Sequence, residues 1–187
     1  MRYILASKSP RRKELLSEII ENFEIITAEV DERLPSNIHP REGVEILAVR
    51  KGEAVAKVTG DDSLVISSDT LVELNGTPLG KPIDENDAIR MLTHLSGKAH
   101  NVHTGVAVHY KGKVFSGVAT TAVYFRDMTA GEIQGYVDSK DPMDKAGSYG
   151  IQSGGGKFVK KIEGDYDTVV GLSVALTKRL IDEATND

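Results

Sequence analysis

The spacing of apolar residues along the chain predicts alternating strands and helices. Short apolar runs such as residues 2–6 and 64–68 are typical of buried strands. Residues 10–22 differ, because their apolar side chains recur every three or four positions, as on one face of a helix. The same reasoning predicts strands at 2–6, 24–28, 64–68, 71–74, 77–79, 102–109, 113–126 and 157–162, and helices at 10–22, 41–58, 85–95, 130–139 and 172–184.

Cap and turn residues support these boundaries. Ser9 is a favoured N-cap for the first helix. Thr129 and Glu132 have the spacing of a capping box. Asn75 and Gly76 predict a tight hairpin turn between two short strands. The pattern therefore predicts a mixed α/β fold with some antiparallel pairing, and an irregular, glycine-rich stretch at 140–156.

Composition fits one folded domain. The length of 187 residues indicates a single domain over 1–187, with a division into two lobes left open. Hydrophobic residues make up 40%, whereas aromatic residues make up only 5% and tryptophan is absent, so we expect a core of Val, Ile, Leu and Ala. The absence of cysteine rules out disulfides, thiolate nucleophiles and cysteine-based zinc sites, and it fits a reducing cytosol.

Charge and hydropathy limit the partners. A net charge of −5 argues against binding to nucleic acid. No apolar stretch approaches the roughly 20 residues that span a bilayer, and Lys8 interrupts an N-terminal apolar run too short for a signal peptide. We therefore expect a soluble, cytoplasmic protein without a membrane partner. Its positive charge is densest at Lys8, Arg11, Arg12 and Lys13, which suits a small anion.

The first candidate site is the segment from Ser7 to Arg12. Ser7 and Ser9 line a turn into a helix whose first turn carries Arg11 and Arg12, although basic residues there oppose the helix dipole. A bound phosphate would explain the arrangement, because backbone N–H groups, hydroxyls and guanidinium groups would converge on it. The alternative is a solvated basic helix start.

The second candidate is Asp69, which follows a predicted apolar strand. A carboxylate at a strand end of an α/β protein is a frequent site of metal binding or water activation. The alternative is an aspartate that begins a turn.

Two further segments carry weaker signals. Gly80-Lys81-Pro82 lacks the P-loop pattern, so Lys81 is either a point charge for a phosphate or a surface lysine. The loop from Asp141 to Gln152 is either an ordinary surface loop or a base-recognition loop, in which Gln152 offers both a donor and an acceptor. The histidines lack HExxH spacing and the serines lack a histidine partner, so neither a histidine metal site nor a Ser-His-Asp hydrolase is favoured.

Taken in order, these motifs resemble the Maf family over nearly the whole chain. The matching segments are Ser7–Arg12, Glu29–Glu32, Leu47-Ala48 with Lys51, Ser68–Thr70, Gly80–Pro82, Asp144–Gly147, Tyr149–Gln152 and Val169–Leu172.

The resemblance implies an inosine-triphosphatase-like α/β fold, with an elongated mixed sheet flanked by helices and two lobes around a central cleft. It implies a homodimeric nucleoside triphosphate pyrophosphatase that uses a divalent cation, Mg²⁺ or Mn²⁺, with Co²⁺ as a further option. Asp69 matches the acidic catalytic residue, and Glu32 with Asp69 matches a metal site. The positions that match phosphate binding are Ser7, Ser9, Arg11, Arg12, Lys51 and Lys81.

Arg12, Thr70 and Gln152 match the positions linked to substrate choice, and the sequence Tyr149–Gln152 looks like the dTTP/UTP branch. The alternatives are the same chemistry on 7-methyl-GTP or another modified nucleotide, and a nucleotide-binding regulator of cell division without turnover. The chain departs from the family pattern where Ser153 follows Gln152 in place of glycine, and where Gly52 follows Lys51 in place of alanine. Its terminal motif also has Thr168 and Ser173 in place of asparagine and proline.

Overall fold

The structure is a computed structural model, and it describes residues 1–186. The helices are α1 (Pro10–Ser17), α2 (Pro40–Thr59), α3 (Glu85–Leu95), α4 (Ala130–Asp138), α5 (Tyr166–Val170) and α6 (Val174–Asn186). The strands are β1 (Arg2–Leu5), β2 (Glu24–Ile25), β3 (Ser63–Leu74), β4 (Thr77–Leu79), β5 (Ala99–Tyr110), β6 (Lys113–Phe125) and β7 (Val159–Glu163). Short 3₁₀ helices occupy Asp141–Asp144, Ala146–Ser148 and Gly154–Phe158.

The predicted caps and turn are confirmed. The Ser9 side chain accepts a hydrogen bond from the Arg12 backbone N–H, and Thr129 with Glu132 forms a reciprocal capping box. Asn75 and Gly76 both have positive φ angles, as a two-residue hairpin turn requires, and β3 pairs with β4 in antiparallel register.

The strands form one mixed sheet in the order β2-β1-β3-β5-β6-β7, with β4 paired to β3. Strand β1 runs parallel to both β2 and β3, whereas β6 and β7 are antiparallel. The pairing of β1 with β3 ends at Leu5 and Ile66. Asp69 therefore lies on β3 beyond the end of its parallel neighbour, on the side from which the chain enters α1.

The chain divides into two compact units. Among the described residues, unit 1 comprises 1–70, 104–119 and 171–186, and unit 2 comprises 71–103 and 120–170. Ile4, Ala6, Val55 and Val65 form a buried aliphatic cluster in unit 1. The buried cluster of unit 2 is larger and includes the aromatic residues Phe125, Tyr136, Tyr149 and Phe158.

Several predictions need correction. Strand β3 does not end before Asp69 but continues to Leu74, so Asp69 lies within a strand. Helix α1 and strand β2 are shorter than predicted, and helix α5 was not predicted. The buried cluster of unit 2 is mostly aliphatic, as expected, but it also contains aromatic rings that pack together, with Phe125 and Tyr149 centroids 4.7 Å apart. No helix in residues 1–186 combines the length and apolar composition that crossing a bilayer requires.

Candidate active site

The turn before α1 is built from hydroxyl groups. Ser7 is buried, and its Oγ accepts a hydrogen bond from the Ser9 backbone N–H at 3.2 Å. Ser9 in turn caps α1, and Pro10 takes the first helical position. The hydroxyls of Ser7 and Ser9 therefore lie at the positive dipole end of α1, an arrangement that favours an anion.

Arg12 connects this turn to β3 and to the chain before α6. Its Nε donates to the Gly171 carbonyl at 2.8 Å, and its Nη2 donates to Thr70 Oγ1 at 3.2 Å. Burial lowers the pKa of Arg12, the Asp69 carboxylate opposes that effect, and the Arg11 charge adds to it. Arg12 therefore supplies a positive charge and also links α1 to β3 and to the chain before α6. The sequence did not indicate this second, structural role.

The Gly171 carbonyl is an acceptor shared by three side chains. It receives hydrogen bonds from Arg12, from Ser68 Oγ at 3.0 Å and from Thr70 Oγ1 at 3.4 Å. Gly171 has a φ of 136°, which side-chain-bearing residues rarely adopt. Sequence reasoning assigned no role to Gly171 or Ser68. The available signals were a glycine between two predicted elements and a serine in an apolar strand.

Lys51 joins the two predicted acidic residues of unit 1. Its Nζ lies 2.5 Å from Asp69 Oδ1 and 2.8 Å from Glu32 Oε1. The Lys51 and Asp69 side chains are only 19% and 14% exposed, whereas Glu32 is 61% exposed. The Lys51 ammonium group therefore contacts two carboxylates, of which Asp69 is much less exposed to solvent than Glu32.

Helix α2 is anchored so that Lys51 faces Asp69. Ser67 Oγ, on β3, donates to the Ala48 carbonyl on α2 at 2.7 Å. A Cβ atom at Gly52 would lie 2.5 Å from His109 Nε2 and 2.6 Å from Ser67 Oγ, closer than real Cβ atoms come. A side chain at position 52 would therefore require His109 or Ser67 to shift.

The loop that carries Glu32 is held by Arg50. Its Nη1 donates to the carbonyl groups on either side of Glu32, those of Asp31 at 3.1 Å and Arg33 at 2.8 Å. Arg33 also forms a two-pronged ion pair with Asp31. Two neighbouring residues of α2 therefore contact this loop. Arg50 holds its backbone, and Lys51 pairs with the Glu32 carboxylate. Sequence reasoning missed Arg50, since a lone arginine on a helix gives no signal.

Unit 1 brings eight predicted site residues together. Hydrogen bonds, ion pairs and electrostatic interactions link Ser7, Ser9, Arg11, Arg12, Glu32, Lys51, Asp69 and Thr70. Within residues 1–186, no group of three or more His, Cys, Asp or Glu side chains is arranged to hold a metal ion.

The remaining predicted residues, Lys81 and Gln152, belong to unit 2. Lys81 is exposed, and the preceding Gly80 carbonyl accepts a hydrogen bond from the Gly147 N–H at 3.0 Å. Gln152 is exposed on a turn between Tyr149 and the 3₁₀ helix Gly154–Phe158. Both side chains are available to a ligand.

Comparison with known proteins shows the family to which the chain belongs. The family model described as Maf-like protein matches residues 2–184, and the chain belongs to this family. It is 45% identical to a dTTP/UTP pyrophosphatase of Bacillus velezensis over 97% of this chain and 96% of that protein. It is 48% identical to a dTTP/UTP pyrophosphatase of Bacillus cereus over 92% of this chain and 90% of that protein.

A solved structure confirms the expected fold. The chain matches a nucleoside-triphosphatase/dITP/XTP pyrophosphatase of Mycobacterium abscessus with a TM-score of 0.52 at 15% identity, over 100% of this chain and 95% of that chain. At this identity the likeness concerns the fold alone.

Proposed function

We propose that this protein is a nucleoside triphosphate pyrophosphatase that hydrolyses dTTP and UTP to the monophosphate and pyrophosphate. The observation that carries the proposal is the contact of Lys51 with both Asp69 and Glu32, beside the basic start of α1. The relatives named dTTP/UTP pyrophosphatase support the substrate, because they match the chain over nearly its full length.

The triphosphate binds at the start of α1. The Ser7 and Ser9 hydroxyls donate hydrogen bonds, the dipole end of the helix favours the anion, and Arg11, Arg12 and Lys51 supply positive charge. Lys81 contributes a further positive charge from its exposed position after Gly80. These groups stabilise the negative charge that moves onto the leaving pyrophosphate.

A divalent cation fits the donor set formed by Glu32 and Asp69. Mg²⁺ is commonly held by only one or two carboxylates together with substrate phosphate oxygens, and Glu32 and Asp69, which both contact Lys51 Nζ, would supply two carboxylates. Mn²⁺ and Co²⁺ accept the same oxygen donors. When bound, the cation polarises the phosphate oxygens and neutralises part of their charge.

Asp69 acts on the water that attacks the α-phosphorus. A carboxylate 14% exposed and fixed by Lys51 can orient that water and accept its proton, while pyrophosphate leaves on the opposite side. Asp69 is therefore either the base or mainly a metal ligand, and both roles require a carboxylate.

Base selection involves Thr70, Arg12 and Gln152. The Thr70 hydroxyl is fixed by Arg12 and by Thr104 Oγ1 at 3.0 Å, so its orientation does not depend on a ligand. Gln152 offers an amide donor and acceptor that suit the edge of a pyrimidine. We further propose a single-domain cytoplasmic homodimer that removes unwanted nucleotides from the nucleotide pool.

The test is pyrophosphate release from dTTP, UTP, CTP, 7-methyl-GTP, ITP and dATP with Mg²⁺, Mn²⁺ or Co²⁺. Preferred release from dTTP and UTP supports the proposal. Preferred release from 7-methyl-GTP or ITP would keep the chemistry and overturn the assigned substrate. Binding without release from any nucleotide would favour a regulator without turnover.

A further inference from the structure

A single carboxylate in unit 2 receives hydrogen bonds from two directions. Tyr136 Oη and Ser153 Oγ both donate to Asp141 Oδ2, each at 2.6 Å. We call Tyr136, Asp141 and Ser153 the Asp141 clamp.

The clamp holds both ends of the segment 150–153, which carries Gln152. At one end, the Gly150 N–H donates to Tyr136 Oη at 3.0 Å. At the other end, Ser153 contacts Asp141 directly, and its own N–H donates to the Gly150 carbonyl at 3.2 Å. The two ends of the turn are therefore bonded to each other, and the turn is linked to Asp141 directly through Ser153 and indirectly through Tyr136.

Close packing further restricts this segment. Lys145, only 12% exposed, donates from its Nζ to the Asp141 carbonyl at 2.6 Å and to Asp141 Oδ1 at 3.1 Å. A Cβ atom at Gly150 would lie 2.5 Å from Ser153 Oγ and 2.6 Å from Lys145 Cε, so a side chain there would require Ser153 and Lys145 to shift. Gly150 therefore allows this segment to approach both side chains closely.

The protonation states suit the clamp. Burial raises the pKa of Asp141, but hydrogen bonds from Ser153, Tyr136 and Lys145 outweigh this and lower it. Burial and the contact with Asp141 raise the pKa of Tyr136. At neutral pH an ionised acceptor therefore meets two protonated donors, the stronger kind of hydrogen bond.

The residues of the clamp do not bond to the Gln152 side chain. Its side chain is exposed and has no hydrogen-bond partner among residues 1–186. We infer that Tyr136, Asp141 and Ser153 are positioning residues that hold Gln152 ready for the nucleotide base and so set base preference. This inference rests on the proposed function, because it assigns a means of selection to that site.

The physical reason is preorganisation. A fixed backbone lowers the entropy that Gln152 loses when its amide binds a base. A glycine at position 153 would have no hydroxyl to donate to Asp141, so the Ser153 side chain adds one bond that holds the Gln152 segment.

The experiment measures kcat and KM for UTP and 7-methyl-GTP in the wild type, Ser153→Ala, Ser153→Thr and Tyr136→Phe. Loss of one charge-assisted hydrogen bond predicts a KM for UTP raised about 5- to 10-fold in Ser153→Ala, with kcat within about twofold. Tyr136→Phe changes in the same direction, and Ser153→Thr, which keeps the hydroxyl, retains the wild-type KM. Thr93→Ala, which removes an exposed hydroxyl bonded within α3, is the matched control.

A double-mutant cycle separates positioning from a general structural effect. In a Gln152→Ala background, Ser153→Ala should raise KM no further, because the group it positions is gone. An unchanged KM in Ser153→Ala, or an equal rise with and without Gln152, overturns the clamp alone. A folded wild-type enzyme that releases pyrophosphate from no nucleotide overturns the proposed function and the clamp with it.

Discussion

The Lys51 ammonium group lies 2.5 Å from the Asp69 carboxylate, and the same nitrogen contacts Glu32. Lys51 comes from α2 and Asp69 from the middle of β3, so their meeting depends on how this helix packs on this strand. The Ser67 bond to the Ala48 carbonyl secures that packing. Lys51 therefore offsets the repulsion of two carboxylates at the point where phosphate charge is expected.

The first prediction concerns Lys51. Lys51→Met keeps the length of the side chain but leaves Asp69 and Glu32 without their shared counter-charge. We expect kcat with UTP to fall about 100-fold, as when one charge-stabilising donor is removed from an active site. Lys57→Met is the control, because Lys57 is an exposed lysine on the same helix. Equal rates for the two variants would remove Lys51 from the proposed mechanism.

The second prediction concerns Gly52. Gly52→Ala places a Cβ atom against His109 and Ser67, so the free energy of unfolding should fall by about 1–3 kcal/mol although alanine favours helices. His109→Ala makes room for the new methyl group. The double variant should therefore be more stable than the sum of the single changes predicts, when measured by chemical denaturation. Strict additivity would contradict the contact.

The third prediction concerns pH and His100. Burial lowers the pKa of His100 to about 4, from an unfolded value of 6.5. The unfolded chain then binds the proton first as pH falls, so this contribution to stability is complete above pH ~6.5 and is lost between pH ~6.5 and ~4. When the pH is lowered from 7 to 5, protonation of His100 in the unfolded chain should reduce the free energy of unfolding by about 2 kcal/mol.

Denaturation curves across that pH range test the third prediction. His100→Gln keeps a polar partner for Tyr149 Oη, which lies 2.7 Å from His100 Nε2, and should flatten the pH dependence. His94→Gln changes an exposed histidine and should leave the dependence as in the wild type. An unchanged slope in His100→Gln would show that other groups cause the acid sensitivity.

The fourth prediction concerns substrate choice. Gln152→Glu replaces an amide donor with an acceptor, while the Asp141 clamp keeps the backbone in place. We expect kcat/KM for UTP to fall about 10-fold or more and the ratio of 7-methyl-GTP to UTP turnover to rise. A variant with the wild-type ratio across the nucleotide panel would mean that Gln152 does not contact the base.

Local signals predicted the secondary structure well. The capping box of α4 and the Asn75-Gly76 turn depend on neighbouring residues, so the sequence contains the information that specifies them. The end of β3 was misplaced because the continuation through Asp69 depends on pairing with other strands. Helix α5 was missed because a five-residue helix has too few positions for a periodic pattern.

The site was predictable in composition but not in geometry. Motif order located Asp69, Lys51 and Glu32, yet only the packing of α2 shows that one nitrogen contacts both carboxylates. Arg50 holds the Glu32 loop by donating to backbone carbonyl groups, and every residue has a carbonyl group, so no sequence pattern indicates this role. The Asp141 clamp likewise depends on a tyrosine, an aspartate and a serine that only tertiary structure brings together.

The most direct measurement compares pyrophosphate release from UTP by the wild type, Asp69→Asn and the exposed control Asp62→Asn, at saturating metal. Asparagine keeps the shape of Asp69 but cannot accept a proton and is a poorer metal ligand. We expect release from UTP by the wild type and by Asp62→Asn, and a loss of at least ~100-fold in Asp69→Asn with its melting temperature retained. Near-native release by Asp69→Asn would contradict both proposed roles of this carboxylate.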